Sequence, residues 1–435
     1  MKLIHVVRRY GPVGGMERYV WNLTQELRDL GYPVEVLCEV CLGEKRQGIV
    51  VHELGKAAMR PRWRAHMQFA NTVSTWLKAN PRPGWLIHSH ERVNCHDITT
   101  FHGSPFATIF EKPWWRLISL RVAMQLFLER RELSVAKRIV PNSEFMKQQL
   151  IHYYPEFAYK LTEPITPGVT NAVLRADRSV PSDAGVIGFV GSEWKRKGLL
   201  LAIAAIRQLR NSRPNLKIIV VGPEVTKVKK LFAHWQDGYE LVGWTDQVRH
   251  WDFDVLLHPA KAEPYGMVIS EAMAAKVPVV VSDVCGAAAD VTHDAGAVLP
   301  LTATLEAWVD AIEQQLRRNK PVPGFVRAWN EVAQEHEQLY QRWYESRNFS
   351  YKARRVPQAV NTERPVSLHT TNLGALTGPG KNPIPVASLT KCWRRVPLHL
   401  KRGAPAYSRQ AQLACSSLTK HGALAEVRLR SAVKT

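Results

Sequence analysis

The feature that most constrains the fold is the alternation of short apolar runs with longer amphipathic stretches over the first 346 residues. Residues 3–7 form an apolar run typical of a buried strand, and a glycine-rich loop follows it. Residues 16–30 then show apolar side chains at spacings of three and four, which predicts a helix that ends at Gly31. Repeated strand–loop–helix units of this kind build parallel sheets covered by helices, so we predict an α/β fold.

Two such series follow one another, separated by a loose stretch over residues 162–185. The first predicts strands at residues 3–7, 34–38, 85–89, 98–101 and 138–140. The second predicts strands at residues 186–190, 216–221, 255–258 and 278–282. We therefore predict two doubly wound domains, over residues 1–168 and 169–324, and a further helix over residues 325–346. Such domains bind ligands at the carboxyl ends of their strands, here in a cleft between the two.

The charge of the chain is concentrated in its last segment. Residues 347–435 carry 16 Lys and Arg against Glu363 and Glu426, a net charge of +14 out of +21 for the whole chain. Seven prolines and the lack of any sustained period predict a disordered basic tail of low order over these residues. The tail could be a basic arm for nucleic acid or an anionic membrane. We favour an extension without its own function, because its basic residues are dispersed without interleaved aromatic residues.

The sequence predicts a cytoplasmic protein with reduced thiols. No apolar run approaches the roughly 18 residues that a membrane span needs. The short apolar run at the N-terminus stops at Arg8 and Arg9, which is unlike a secretory signal. Cys38 and Cys41 form a single C-x-x-C pair, and no second pair offers the spacing of a structural zinc site.

The loop after the first strand is the first candidate binding element. Gly14 and Gly15 allow the backbone to approach a ligand closely, and the N-terminus of the following helix favours an anion. The loop does not match the Gly-x-Gly-x-x-Gly pattern of dinucleotide sites. A simple strand-to-helix turn is therefore an equally good interpretation of these residues alone.

A run of three cations, Lys195, Arg196 and Lys197, follows the first strand of the second series. Cations at the carboxyl end of a strand, before a helix N-terminus, can pair with a diphosphate. The sequence around them does not match a Walker loop. The alternative is a solvated loop, which is what a run of charges usually forms.

The segment from Glu263 to Glu271 is the sharpest signal in the chain. Glu263 falls in the loop after a predicted strand, Gly266 allows a tight turn into a helix, and Glu271 lies about one turn further on. The free N–H groups of the first helical turn, together with one carboxylate, can hold phosphate and ribose hydroxyl groups. Taken singly, each Glu could equally be a capping carboxylate or an exposed helical residue.

Two possible metal sites are rejected. The pair Asp252 and Asp254 precedes a predicted strand, which places it at the end of the sheet away from the cleft. His88, His90 and His96 lack a carboxylate or Cys at good spacing, although His88 and His90 alternate along a strand and share a face. His102 differs, because it follows a strand at its carboxyl end, where it could bond a sugar hydroxyl or a diphosphate. A structural histidine is the alternative.

Together these segments resemble the retaining glycosyltransferases of family 4, which have the GT-B fold of two Rossmann-like domains facing across a cleft. The resemblance covers residues 1–346, and lipopolysaccharide-core hexosyltransferases are nearest in overall pattern. It rests on Gly14-Gly15-Met16-Glu17-Arg18, Phe101-His102-Gly103, Pro141-Asn142-Ser143-Glu144, Lys195-Arg196-Lys197-Gly198 and the spacing Glu263-x7-Glu271. The segment 166–170 departs from the family's usual Asn-Gly-Val-Asp, and the basic tail has no counterpart.

The resemblance implies a role for each matching residue. Arg196 and Lys197 would bind the donor diphosphate and assist its departure, and Glu271 would hold the ribose. Glu263 would lie beside the donor sugar, and His102 would face the transferred sugar. The donor would contact the glycine loop of the first domain, at Gly14 and Gly15. It would also contact the start of the helix that carries Glu271, at Gly266, Met267 and Val268. The helix over 325–346 would cross back onto the first domain.

The implied reaction moves a hexose from a nucleoside diphosphate sugar to a glycan or glycolipid with retention of anomeric configuration. No cofactor or metal is expected, because the cations can neutralise the leaving diphosphate. A UDP-sugar is favoured over a GDP-sugar as donor, and lipopolysaccharide or cell-surface polysaccharide synthesis is the expected setting. Two alternatives stay open: a nucleotide-sugar epimerase of similar fold, and a non-enzymatic basic protein that binds membranes or nucleic acid, although no specific nucleic acid is expected.

Residues 114–131 are apolar and basic, and they begin with two tryptophans. If they form a helix, Leu117, Leu120, Met124, Phe127 and Leu128 are expected on one stripe. A core-facing helix is the favoured interpretation, since most apolar stripes are buried. The alternative is a surface helix at an anionic bilayer, which would present a glycolipid acceptor at the inner face of the cytoplasmic membrane.

Overall fold

The computed structural model describes residues 1–56, 60–170, 172–177, 179–245 and 248–353. The α/β prediction is confirmed, with two parallel sheets formed by successive parts of the chain. From residue 354 onward, the predicted basic tail lies outside the described residues.

The first domain contains the following strands and helices in chain order: β1 (Leu3–Val6), β2 (Arg9–Tyr10), α1 (Gly15–Asp29), β3 (Val34–Cys38), β4 (Val40–Cys41), β5 (Ile49–Glu53), α2 (Arg62–Ala79), β6 (Leu86–Ser89), β7 (Ile98–Phe101), α3 (Leu120–Val135), β8 (Arg138–Pro141) and α4 (Glu144–Tyr153). Its six-stranded sheet has the order β5-β3-β1-β6-β7-β8, and β2 and β4 form a small separate pair. All pairings are parallel, so the loops after β1, β6 and β7 emerge at one edge.

The second domain repeats this architecture with the following elements: β9 (Ala184–Val190), α5 (Leu199–Leu209), β10 (Asn215–Val221), α6 (Val225–Val228), β11 (Tyr239–Gly243), β12 (Val255–His258), α7 (Met267–Ala274), β13 (Val279–Ser282), β14 (Gly296–Leu299) and α8 (Leu305–Leu316). Its sheet has the order β11-β10-β9-β12-β13-β14, again parallel throughout. The strand order reverses beside β9, which is where doubly wound sheets bind ligands. The loops after β9 and β12 carry Arg196, Lys197 and Glu263.

Buried strands and local caps explain why these elements form. All five residues of β3 and all four of β12 are buried, as expected of parallel strands that are covered on both faces. Helix α4 begins as predicted at Ser143, whose hydroxyl accepts a hydrogen bond from the Met146 N–H at 3.1 Å. The sequence interpretation did not identify β5, β11, β14, α2 or α8.

The last helix, α9 (Trp329–Ala353), corrects the predicted range of 325–346. It begins four residues later because the residues just before it belong to a non-helical segment that is fixed by hydrogen bonds of Arg327. The Val169 N–H donates to the Arg327 carbonyl at 2.7 Å, and the Arg327 side chain binds Glu335 at 2.7 Å. At its other end the helix continues to Ala353, so residues 347–353 are helical and do not belong to a tail of low order.

Helix α9 packs against the first domain, as the resemblance implied. The Tyr19 hydroxyl on α1 lies 2.8 Å from Nε2 of His336, and the Tyr32 hydroxyl donates to Glu337 at 2.5 Å. Trp329 and Tyr340 belong to the core of that domain. The helix therefore closes the first domain although it follows the second in sequence.

The predicted apolar stripe over residues 114–131 is wrong in detail. Residues Trp114–Arg116 form one 3₁₀ turn, and α3 starts only at Leu120. Leu128 is fully buried, whereas Leu120 and Phe127 are 68% and 53% exposed. The predicted residues do not share one face, because the buried face of α3 carries Leu128 together with Glu129 and Glu132. The apolar pattern did not include these two polar residues. Among the described residues, no helix is long and apolar enough to span a membrane.

Candidate active site

Arg196 and Lys197 meet Glu263 at the carboxyl edge of the second sheet. Nη1 of Arg196 lies 3.1 Å and Nζ of Lys197 lies 2.8 Å from Oε2 of Glu263. Arg196 also pairs with Glu193 at 2.7 Å and donates to the Ala262 carbonyl. Two predicted cations and one predicted carboxylate, separated by more than 60 residues in sequence, therefore share one oxygen atom.

The electrostatics of this cluster keep Glu263 ionised. Burial opposes the charge on this carboxyl, but the hydrogen bond to His258 and the charges of Lys197 and Arg196 hold its pKa well below the usual range. Nε2 of His258 is 3.4 Å from the same Oε2 atom. The site therefore presents two cations around one buried carboxylate, and phosphate oxygens could compete for the same cations.

The loop after β12 turns into α7 through Gly266, which adopts a φ of 95°. A β-carbon at Gly266 would lie 3.0 Å from Ile269 and 3.1 Å from Glu263, so both conformation and space favour glycine. The first N–H groups of a helix have no partner within it. The N–H groups of Met267 and Val268 are therefore available to bind an anion next to Glu263 and its two cations.

Glu271 of α7 makes a contact between the two domains. Nη2 of Arg18, on α1, donates to Oε1 of Glu271, and Nε2 of His250 lies 3.4 Å from Oε2. Burial opposes ionisation of Glu271, but His250 and Arg18 together lower the pKa of this carboxyl below its ordinary value. The carboxylate that the sequence assigned to ribose binding is thus held charged and oriented from both sides.

The glycine loop of the first domain begins α1. Gly14 adopts a φ of 78°, and a β-carbon there would lie 2.6 Å from Oε2 of Glu17. Glu17 in turn accepts two hydrogen bonds from Arg9. A β-carbon on Gly15 would have no heavy atom within 4 Å, so the space beside Gly15 is open to a ligand.

His102 lines a cavity of about 540 Å³ in the first domain. Its Nε2 atom lies 2.9 Å from Nδ1 of His90, and burial lowers the pKa of His102 to about 3. The ring is therefore neutral at pH 7 and can donate one hydrogen bond and accept another. His102 contacts His90 and Tyr19 of the first domain, whereas Arg196 and Lys197 contact Glu263 within the second.

Asp252 and Asp254 have partners outside the Glu263 cluster. Asp254 is buried at the start of β12, where it accepts hydrogen bonds from the Val186 N–H at 2.9 Å and from Arg175 at 2.7 Å. Asp252 pairs with Arg249 at 3.0 Å. Asp254 therefore lies at the end of the sheet opposite Glu263, and Asp252 forms an ion pair within its own turn.

The histidines show a different grouping from the sequence interpretation. His88 and His90 do share a face, with ring centroids 4.4 Å apart, but their companion is His5 rather than His96. The nearest ring nitrogens of these three lie within 4.8 Å of one another, close enough to consider a metal ion. His88 however uses both ring nitrogens, bonding Tyr340 at 2.6 Å and Thr100 at 2.8 Å. These bonds favour a hydrogen-bonded core over a metal site.

Sequence reasoning missed three functional candidates: Arg18, His90 and His258. Arg18 was quoted only as part of the Gly14–Arg18 motif, and its position one turn into a helix that begins at the glycine loop was the available signal. His258 is the last residue of β12, and a histidine at a strand's carboxyl end was the signal already used for His102. No local signal distinguishes His90, whose importance depends on its neighbours in the sheet.

Comparisons with known families match both domains. Residues 13–170 match the family described as Glycosyltransferase Family 4, and residues 184–318 match the family described as Glycosyl transferases group 1. The two matches together include Arg18, His102, Arg196, Lys197, Glu263 and Glu271, whereas His5 and Arg9 precede the first matched range.

Curated relatives extend over most of the chain. A D-inositol 3-phosphate glycosyltransferase of Saccharomonospora viridis is 25% identical over 392 residues, covering 75% of this chain and 86% of the relative. An alpha-maltose-1-phosphate synthase of Mycolicibacterium smegmatis is 25% identical over 335 residues, covering 66% and 81%.

Solved structures share the fold at lower identity. WaaG, a glycosyltransferase involved in lipopolysaccharide biosynthesis, superposes with a TM-score of 0.63 at 18% identity, over 77% of this chain and 94% of its own. Sucrose-phosphate synthase from Thermosynechococcus elongatus gives 0.62 at 17% identity, over 80% and 100%. HepE from Anabaena, in complex with UDP and glucose, gives 0.55 at 17% identity, over 78% and 99%.

Proposed function

Because the chain belongs to the group 1 glycosyltransferases of family 4, we propose that it transfers a hexose from a nucleoside diphosphate sugar to a glycan or glycolipid acceptor. We propose retention of anomeric configuration and a UDP-sugar as donor. The observation that carries this proposal is the convergence of Arg196, Lys197 and the N-terminus of α7 on the Glu263 cluster. The complex of HepE with UDP and glucose supports the choice of donor.

The donor diphosphate would lie against the cations and the first turn of α7. As the bond to the sugar breaks, negative charge grows on the leaving phosphate, and groups fixed around it stabilise the transition state more than the ground state. Arg196 and Lys197 supply two positive charges, and the N–H groups of Met267 and Val268 supply oriented dipoles. We therefore propose that transfer needs no metal ion.

Glu263 and Glu271 would serve different parts of the donor. Glu271 is charged and held by Arg18 and His250, so it can accept hydrogen bonds from ribose hydroxyl groups. Glu263 is fixed between the two cations, so it would lie beside the sugar and keep both cations oriented until phosphate oxygens compete for them. The first role affects donor affinity and the second affects the rate of transfer.

The cavity beside His102 would hold the acceptor, and its charge favours an anionic one. The side chains of its lining arginines Arg62 and Arg121 have no hydrogen bond or ion pair within the described parts of the chain. Burial raises the pKa of the lining carboxyls Glu91 and Glu132 to about 7, which weakens their negative charge near neutral pH. We propose that the acceptor carries a phosphate or carboxylate, which the relative named for inositol 3-phosphate supports.

An exposed apolar patch adjoins this cavity. It consists of Phe110, Trp114, Trp115, Ile118, Leu120 and Phe127, each more than half exposed. Arg121, which follows Leu120, lines the cavity itself. A patch of aromatic and aliphatic side chains beside arginines suits the interface of an anionic bilayer. We propose peripheral binding at the inner face of the cytoplasmic membrane, with lipopolysaccharide or another surface glycan as the setting.

The proposal is tested with purified protein, a series of UDP- and GDP-sugars, and phosphorylated or carboxylated sugar acceptors. Thermal stabilisation by a nucleoside diphosphate should identify the donor base, because a ligand that binds only the folded state stabilises it. Proton NMR of the product should show the anomeric configuration of the donor. Excess EDTA should leave transfer unchanged. Conversion of the donor without any acceptor would instead indicate an epimerase.

A further inference from the structure

Three histidines form a continuous line of hydrogen bonds behind the acceptor cavity. His5 lies on β1, His90 directly follows β6, and His102 directly follows β7. These strands are neighbours in the sheet, in the order β1-β6-β7. Nδ1 of His5 is 3.1 Å from Nε2 of His90, and Nδ1 of His90 is 2.9 Å from Nε2 of His102. His5 and His90 are buried, and both His90 and His102 line the cavity, with His102 at the end of the line opposite His5.

The protons in this line are coupled. Burial lowers the pKa of His5 and of His102 to about 3 and that of His90 well below its ordinary value, so all three rings are neutral at pH 7. A neutral imidazole has one N–H donor and one bare nitrogen that accepts. His90 must therefore donate to one neighbour and accept from the other. Its two possible tautomers give two opposite directions for the whole line.

The buried end of the line selects one direction. Nε2 of His5 is buried and has no hydrogen-bond partner among the residues that the structure describes. If Nε2 carried the proton, an unpaired N–H group would be buried, and orphaned N–H groups are rarer than under-used acceptors. Nδ1 of His5 thus donates to His90, and Nδ1 of His90 donates to Nε2 of His102.

We propose that His5 and His90 are positioning residues that hold His102 in the Nδ1-protonated tautomer. Because its Nε2 is occupied as an acceptor, His102 is left with one N–H group, on Nδ1, to donate to an oxygen atom of a sugar in the cavity. No proton moves in this step, since the histidine contributes an oriented hydrogen bond. The assignment of that oxygen to a sugar rests on the proposed function, whereas the tautomer rests on the histidine contacts alone.

The direct test is NMR of the full chain labelled with ¹⁵N in its histidines. The ¹⁵N shifts of Nδ1 and Nε2 distinguish the two neutral tautomers, and His102→Asn assigns the His102 signals. We expect His102 protonated on Nδ1 at pH 7, and His5→Leu should convert it to a mixture of tautomers. A wild-type His102 protonated on Nε2, or no change in His5→Leu, overturns the proposal.

The same spectra test a metal-centred role for this cluster. Equimolar Zn²⁺ should leave the signals of His5 and His90 in place, because both ring nitrogens of His88 and of His90 are already engaged in hydrogen bonds. Stoichiometric shifts at His5, His88 and His90 on addition of Zn²⁺ would overturn the hydrogen-bonded line in favour of a metal site.

Steady-state kinetics of variants provide a second test of the positioning role. His5→Leu should lower kcat about tenfold while the KM for donor stays within about twofold, because only the orientation and tautomer of His102 change. His5→Gln should recover most of kcat, since its side-chain amide can donate to His90. His96→Leu, which removes a buried histidine outside the line, is the matched control and should keep wild-type kcat.

Equal losses in His5→Leu, His5→Gln and His96→Leu would show a general effect of emptying the core and would overturn the positioning role. The NMR result does not depend on whether transfer occurs. A failure of the proposed function would instead appear as wild-type protein that neither binds nucleoside diphosphates nor transfers sugar, with the tautomer of His102 unaffected.

Discussion

The guanidinium of Arg18 donates a hydrogen bond to the carboxylate of Glu271, across the boundary between the two domains. Arg18 lies one turn into α1 and Glu271 lies in α7, so each is carried by a helix that starts at a glycine at the mouth of its own sheet. The pair is partly buried, with side-chain exposures of 33% and 18%. It therefore links the glycine loop of the first domain to the proposed ribose site of the second.

Replacing Arg18 with Gln should weaken binding of UDP by about tenfold, or about 1.4 kcal/mol. The carboxylate of Glu271 would lose the partner that orients it, while His250 would remain. Calorimetry with free UDP measures this affinity, and a double-mutant cycle with Glu271→Gln should give a coupling of similar size. Strict additivity of the two losses would mean that the contact has no part in donor binding.

Arg196→Ala and Lys197→Ala should each reduce kcat by about 100-fold or more, because contacts to a developing oxyanion are worth about 2–4 kcal/mol. The matched control is Lys195→Ala, a neighbouring cation that stacks on Trp194 with Nζ 5.1 Å from the ring centroid. We expect the control to keep near wild-type kcat. Activity within twofold of wild type in both test variants would refute the diphosphate assignment.

Substitutions of the two glutamates should change different parameters, the donor affinity in one case and the rate of transfer in the other. Glu271→Gln is expected mainly to raise the donor Kd, whereas Glu263→Gln should mainly slow transfer because Arg196 and Lys197 lose their shared partner. Steady-state kinetics and calorimetry with free nucleoside diphosphate measure both effects. Unchanged affinity in Glu271→Gln would contradict its assignment to the ribose.

Glu132 should make the fold less stable as the pH rises. Burial raises the pKa of its carboxyl to about 7, so the folded chain retains this proton more tightly than the unfolded chain, whose pKa is about 4.3. Stability from this group is complete below the unfolded pKa and is lost as the pH rises toward 7. Glu132→Gln stays neutral and can still accept the hydrogen bond from Thr99.

We therefore expect the unfolding free energy of Glu132→Gln to exceed that of wild type at pH 8, by the order of 1–2 kcal/mol. The two proteins should converge at about pH 4, below the unfolded pKa. Thermal or urea unfolding at the two pH values measures this difference. The exposed Glu240→Gln is the control and should show no pH-dependent gain. A gain of equal size at both pH values would exclude titration of Glu132 as the cause.

The apolar patch should bind anionic liposomes at low salt, and binding should weaken as salt screens the attraction over about 8–10 Å. The measurement is co-sedimentation, with both the full chain and a chain ending at Ala353, which removes the basic tail. Trp114→Ser combined with Trp115→Ser should release the shorter chain into the supernatant. Trp244→Ser, which removes a tryptophan that is 66% exposed in the second domain, is the control. If the shorter wild-type chain does not sediment, a soluble acceptor is the better interpretation.

Much of the fold and of the donor site could be predicted because the signals are local. The buried strands, the helix cap at Ser143 and the glycine that precedes α7 are each specified by a few consecutive residues. Parallel strands bring their carboxyl ends to one edge, so the sequence positions of Arg196 and Glu263 already placed them near each other. The start of α9 was predicted wrongly, because Arg327 is held by residues that are distant in sequence.

The sequence by itself determined the two parallel sheets, the loops at their carboxyl edges and the residue types that those loops carry, since strand and helix patterns depend on near neighbours. Only the tertiary structure decided that Arg18 reaches Glu271, 253 positions away, and that His5 stands behind His90. These contacts depend on how two domains and three strands are packed together. A side chain's partner across such a distance is set by that packing, because no local pattern encodes it.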